Sequence, residues 1–116
     1  MNIIAFDTCF GACSVAVRLT AGPGEHQQID SFKLCETGHA EALMPMIRSV
    51  MAQAGAGFDA LDRIAVTRGP GTFTGTRIGI AAAKGLALAA RLPLIGVSSL
   101  AVMAATAVRQ LANDEI

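Results

Sequence analysis

RIAVTRGPGTFTGTRIGIAAAKGLALAARLPLIGV, residues 63–97, changes its period twice and so sets the fold class. Arg63 to Thr67 is a short run with the β-branched residues of a strand. Gly75 to Arg91 is alanine-rich and helical in spacing, and after Pro93 the segment Leu94 to Val97 returns to a strand. A strand, a helix and a second strand in that order make a right-handed crossover between parallel strands. The connection Arg68-Gly69-Pro70-Gly71-Thr72-Phe73-Thr74-Gly75-Thr76-Arg77 stands between the first strand and the helix. Backbone N–H groups and a helix N-terminus can hold an anion there. The stretch lacks the Gly-Lys-Ser/Thr ending of a Walker A loop, and its glycine spacing misses the dinucleotide fingerprint by one residue. Two readings stay open: a phosphate or nucleotide loop using Gly69, Gly71 and Thr72, or a tight connection whose glycines serve close packing.

Upstream, Asn2 to Thr8 reads as a buried, isoleucine-rich strand ending at Asp7. Carboxylates at strand ends are common ligand contacts in such sheets, so Asp7 and Thr8 join the candidate loop. Asp7 is otherwise a turn-capping residue. After Phe10-Gly11, Ala12 to Leu19 alternates with Val15, Val17 and Leu19 on one face. The cluster TAGPGE, residues 20–25, turns the chain into His26 to Leu34, a polar edge strand with Phe32 and Leu34 in phase and Ile29 out of it. From His39 the spacing of Ala40, Leu43, Met44, Ile47, Val50, Met51 and Ala54 is helical. Thr37 is the expected N-cap, and Gly55 and Gly57 stop the helix. Ser98-Ser99 cap a terminal helix running to about Asn113. The order β-β-β-α-β-α-β-α predicts an α/β fold: a five-stranded mixed sheet with helices on its faces.

The chain has 116 residues, 53% hydrophobic and only 16% charged, with nine basic and nine acidic side chains. This length allows one domain with a core of its own. Charge so far below the usual ~25% excludes disorder. A net charge of zero removes the sequence-independent attraction on which nucleic-acid binding relies, so a nucleic-acid grip by this chain alone is not expected and any such partner would need help. The MNIIAFDT start lacks a basic n-region, and Lys84 and Arg91 interrupt the longest apolar stretch short of the roughly 18 residues of a membrane span. A cytoplasmic protein with no membrane association is expected. Cys9, Cys13 and Cys35 then read as reduced thiols. Cys9-x3-Cys13 has no nearby histidine to complete zinc spacing, and His26 and His39 fall in different elements. No metal site, cofactor or catalytic constellation is expected.

Gly75, Gly79 and Ala83 recur every fourth residue, so one helix face carries almost no side chain and another backbone can approach it. Ile78, Ala82, Leu86 and Ala89 line the adjacent stripe, and Met44, Met46 and Met51 are adaptable contact residues on the earlier helix.

Three stretches resemble the N-terminal lobe of the TsaB (YeaZ) family: IIAFDTCFGACSVAV at 3–17, GHAEALMPMI at 38–47, and AVTRGPGTFTGTRIGIAAAKGLALAARLPLIGVSSL at 65–100. The resemblance implies an actin-like ATPase half-domain, related to acetate kinase, sugar kinases, Hsc70 and ribonuclease H. It implies a non-catalytic partner of TsaD, of the glycoprotease superfamily, in the biosynthesis of threonylcarbamoyladenosine in tRNA. TsaD carries a His-x-x-x-His metal motif after its last strand, where this chain has Ser99 and Met103. The expected partners are a TsaD-like catalytic subunit and a TsaE-like ATPase, with a homodimer when alone. The implied interface is a bundle of the two helices, using Leu43, Met44, Ile47, Met51, Gly75, Ile78, Gly79, Ala82, Ala83 and Leu86. The family has a second lobe, which this chain is expected to lack. The rival reading is an actin-like ATPase or phosphotransferase, or a glycoprotease-type metalloenzyme.

Overall fold

The computed structural model of the chain describes residues 1–114. Its elements are β1 (Ile3–Asp7), β2 (Ala12–Gly22), β3 (Glu25–Leu34), α1 (His39–Ala54), a 3-10 turn at Phe58–Ala60, β4 (Arg63–Thr67), α2 (Phe73–Ala90), β5 (Leu94–Val97) and α3 (Ser99–Asp114). The five strands form one sheet in the order β3-β2-β1-β4-β5. β1–β2 and β2–β3 are antiparallel, while β1–β4 and β4–β5 are parallel, as the β-α-β crossovers require.

One face of the sheet is built by strict alternation. Register pairs Ile4 with Val17 and Ile64, and Phe6 with Val15 and Val66, so these side chains form one apolar carpet. α1 covers it with Leu43, Ile47, Val50 and Met51, all buried together with the carpet. Burying each such side chain contributes roughly 1.5–3 kcal/mol. α1 begins one residue after Gly38, which sits at φ 84 as the N-cap in place of Thr37 and makes no side-chain capping bond. It ends where Gly55, at φ 68, turns its N–H back to Ala52 O and the next N–H, of Ala56, reaches Met51 O.

α2 starts earlier than its alanine-rich run suggests. Thr72 Oγ1 accepts from Gly75 N at 3.1 Å, so helical geometry begins at Phe73. Glycine and threonine have low helix propensity, which hides this first turn in the sequence. The helix closes at Arg91, a non-glycine residue in the left-handed region at φ 57.

Two further expectations are corrected. In β3 the inward residue is Ile29, paired with Val17, whereas Phe32 and Leu34 point to the opposite side and are 67% and 77% exposed. The partner strand's register, not the hydrophobic pattern of β3, decides its facing. The sheet is also covered on one face only: α3 stands off the body, with every residue from Leu100 to Ala112 exposed. The second face presents Ala5, Ala16 and Ala65 beneath Phe32 and Val102, around an open cavity of about 400 Å³.

Candidate functional site

The β1–β2 turn and the β4–α2 connection meet at the ends of the two central strands. Asp7 Oδ1 accepts from Cys9 N at 2.8 Å and from Thr67 Oγ1 at 2.6 Å, which fixes the turn to the neighbouring parallel strand. Cys9 O in turn accepts from Thr72 N at 2.7 Å. Thr8 Oγ1 donates to Gly75 O at 2.6 Å, and Thr76 Oγ1 lies 3.5 Å from Cys9 Sγ. The turn and the connection are therefore stitched directly together.

This stitching assigns the glycines. A Cβ on Gly71 would lie 2.5 Å from the Cys9 carbonyl oxygen, one on Gly79 would lie 2.6 Å from Thr8 Oγ1, and one on Gly75 would overlap the Thr8 carbonyl. Gly69 adds a φ of +106 that a side chain would oppose. Three N–H groups an anion would use, those of Cys9, Thr72 and Gly75, are already spent on Asp7, Cys9 O and Thr72 Oγ1. Of the proposed phosphate loop of Asp7, Thr8, Gly69, Gly71 and Thr72, the structure brings Asp7, Thr8, Gly71 and Thr72 together and commits them to holding two chain segments in contact, while Gly69 O accepts from Ser99 N at 2.9 Å.

The predicted interface divides in a similar way. Leu43, Ile47, Met51, Gly75, Gly79 and Ala83 are buried within the chain's own core. Leu43, Ile47, Met51 and Ala83 are taken up by the core, and Gly75 and Gly79 by Thr8 of the β1–β2 turn, so none of the six presents a surface to a partner. Met44, Ile78, Ala82 and Leu86 are half-buried at the rim of that core. Beside them Ala81 and Gly85 are exposed, and a Cβ on Gly85 would meet nothing within 4 Å. The small-residue surface open to solvent is therefore shifted around the helix from the one its sequence suggests.

Sequence reasoning missed one cluster. Cys13, Cys35 and His39 have ligand atoms within 4.8 Å of one another. Cys13 is fully buried, and its thiol is pushed up to about 12 by burial first and then by its hydrogen bond with Cys35, which favours the protonated thiol, the two sulfurs being 3.7 Å apart. The hairpin of β2 and β3 brings the two cysteines together. The local signal was Cys35-x3-His39, a pair at the entry to α1 that a search for Cys-x-x-Cys spacing passes over.

A five-stranded mixed sheet in the order β3-β2-β1-β4-β5, with two β-α crossovers, fits the actin-like, ribonuclease H-like half-domain. The RuvC structure from Thermus thermophilus shares that fold, with a TM-score of 0.56 at 12% identity over 84% of this chain and 64% of the other. The family model for TsaD, tRNA N6-adenosine threonylcarbamoyltransferase, matches residues 33–115, and the chain belongs to that family, on its TsaB (YeaZ) side. The solved structure of YeaZ from Pseudomonas aeruginosa superposes with a TM-score of 0.87 at 40% identity, over 96% of this chain and 50% of that one. The tRNA threonylcarbamoyladenosine biosynthesis protein TsaB of Escherichia coli (strain K12) is 43% identical over 95% of this chain and 46% of its own length. A tRNA N6-adenosine threonylcarbamoyltransferase of Novosphingobium aromaticivorans is 48% identical over 59% of this chain and 19% of its own. The chain spans about half the length of the TsaB proteins it matches. Among the described residues, no helix is long and apolar enough to cross a membrane.

Proposed function

We propose that this chain is the N-terminal lobe of a TsaB-like protein and serves as a non-catalytic, cytoplasmic scaffold for threonylcarbamoyladenosine formation in tRNA. Its partners in this reading are a TsaD-like catalytic subunit and a TsaE-like ATPase, and alone it pairs with a second copy. tRNA is met only through those partners, in keeping with the zero net charge.

The observation that carries the reading is the outer seam of α1 and α2. Met44, Ile78, Ala82 and Leu86 are only half-covered by the chain's own core, and the backbone of α2 is bare beside them at Gly85. A surface of this kind suits close helix-to-helix docking, because small residues let backbones approach. The non-catalytic assignment is supported by Ser99 and Met103, which stand where the resemblance puts the histidines of TsaD, and by the loop N–H groups already spent within the chain. The lobe assignment is supported by the sheet face left open at Ala5, Ala16 and Ala65 and by the exposed apolar length of α3.

The test is reconstitution. Threonylcarbamoyl transfer to tRNA by a TsaD-type enzyme with its TsaE-type ATPase is measured with and without the purified chain. The reading predicts that the chain binds the catalytic subunit and has no transfer or ATP-hydrolysing activity alone. ATP hydrolysis by the chain alone would transfer the case to the ATPase reading.

A further inference from the structure

Two thiols and an imidazole converge where the β2–β3 hairpin meets the start of α1, and nothing in the scaffold role uses them. Cys13 and Cys35 place their sulfurs 3.7 Å apart, and one ring nitrogen of His39 lies within 4.8 Å of both. Cys13 and His39 are buried, and Cys35 is half-buried. The cluster is held by backbone: Cys35 N donates to Gly11 O at 3.0 Å, and Cys13 Sγ lies 3.7 Å from His39 O. His39 Nε2 lies 2.7 Å from Phe10 O. A carbonyl oxygen only accepts, so Nε2 carries a proton, and in a neutral ring Nδ1 is the nitrogen left with a lone pair. An imidazole whose second nitrogen donates to a carbonyl is the usual arrangement of a metal-ligating histidine.

We propose that Cys13, Cys35 and His39 form a site for a thiophilic cation of the Zn²⁺ class, with two thiolates and one imidazole as ligands. Two ~2.3 Å metal–sulfur bonds at a tetrahedral angle put the sulfurs about 3.8 Å apart, close to the spacing already present. A disulfide would instead require closure to about 2.05 Å. On binding, each thiol gives its proton to solvent, so Zn²⁺ and two thiolates form a neutral unit suited to a buried place. Sulfur and imidazole donors favour Zn²⁺ over Mg²⁺ or Ca²⁺, which take oxygen ligands. Three protein ligands leave one tetrahedral position open. His39 also borders a cavity of about 480 Å³ lined by Phe10, Gly11, Glu36, Thr37 and Glu41, which supplies an entry path carrying two carboxylates. The three ligands are not residues of the outer seam of α1 and α2, although the cavity beside His39 reaches Ile78 at the seam's edge, and the site stands or falls independently of the scaffold reading.

The test is a titration of the reduced, chelator-treated chain with Co²⁺ as a spectroscopic probe, followed by Zn²⁺. The site predicts one Co²⁺ per chain, visible bands of tetrahedral cobalt, thiolate-to-cobalt absorption in the near ultraviolet, and displacement by Zn²⁺. Cys35→Ser, at the half-buried ligand, is expected to fold, to lose about half of the thiolate absorption and to weaken binding about tenfold or more, since loss of even an outer-shell partner costs that much. His39→Gln should weaken binding while keeping the thiolate absorption. As a second measurement on the unaltered chain, Zn²⁺ should protect Cys35 from alkylation. Absence of thiolate-to-cobalt absorption at millimolar Co²⁺, unchanged affinity in Cys35→Ser, or alkylation of Cys35 unaffected by Zn²⁺ would each overturn the site.

Discussion

Thr8 is the point at which the β1–β2 turn is tied to α2. Its hydroxyl donates to Gly75 O, and its carbonyl and hydroxyl occupy the space that side chains at positions 75 and 79 would need. Gly75 and Gly85 lie on the same helix but in opposite circumstances, which gives a paired prediction. Gly75→Ala drives a Cβ into the Thr8 backbone and is expected to lower stability by several kcal/mol or prevent folding, in the range of overpacked cores and above. Gly85→Ala meets open space and is expected to raise stability by about 0.5–1 kcal/mol through helix propensity. Denaturant unfolding of both variants checks the pair, and equal effects would refute the assignment of the glycines. The cysteines give a second prediction. Burial, and next the Cys35 hydrogen bond, hold the Cys13 thiol protonated up to about pH 12. In metal-free protein, raising the pH from 8 to 10 should therefore leave Cys13 slow to alkylate, and mass spectrometry after brief labelling reports that site. In denatured protein Cys13 should react readily.

At the scale of elements, periodicity read the sequence well wherever one face of an element is buried against a regular neighbour. The face of α1 with Leu43, Ile47, Val50 and Met51 is where its spacing put it, and the parallel pairing of β4 and β5 follows from the crossover. It read less well where a contact distant in sequence decides. Which way Phe32 and Leu34 point depends on the register with β2, and the first turn of α2 depends on a cap at Thr72 that glycine content obscures. The stripe of Gly75, Gly79 and Ala83 was legible as a place of close approach, but whether a partner or the chain's own β1 turn fills it is a tertiary fact. The Cys13, Cys35 and His39 cluster was illegible for the same reason, because a hairpin assembles it. α3 differs from α1 and α2 in being exposed at every residue from Leu100 to Ala112. Helical stability in proteins comes mostly from packing an amphipathic face, so amide hydrogens of α3 are expected to exchange much faster than those of α2 in the isolated chain. Equal protection of the two helices would mean that α3 is covered in solution.

For the whole molecule, the excess of apolar and small residues is divided among three places. Part of it forms the core under α1 and α2, part the open sheet face with α3, and part the outer seam at Met44, Ile78, Ala82 and Leu86. Unpaired apolar surface of this extent is unusual for a small monomer and fits a chain that works in an assembly. A stable helix-bundle interface would bury roughly 1,200–2,000 Å². Gly79→Leu cannot probe it, since that position faces Thr8 in the interior. Gly85→Leu can, because its side chain enters open space on the outer seam. The most direct measurement is sedimentation velocity of the chain, alone and mixed with a TsaD-type catalytic subunit, for the unaltered sequence and for Gly85→Leu. The scaffold account predicts self-association alone, a one-to-one complex with the catalytic subunit, and loss of both in Gly85→Leu with the fold unchanged. A chain that stays monomeric and does not bind the catalytic subunit, or a Gly85→Leu variant that associates as before, would contradict it.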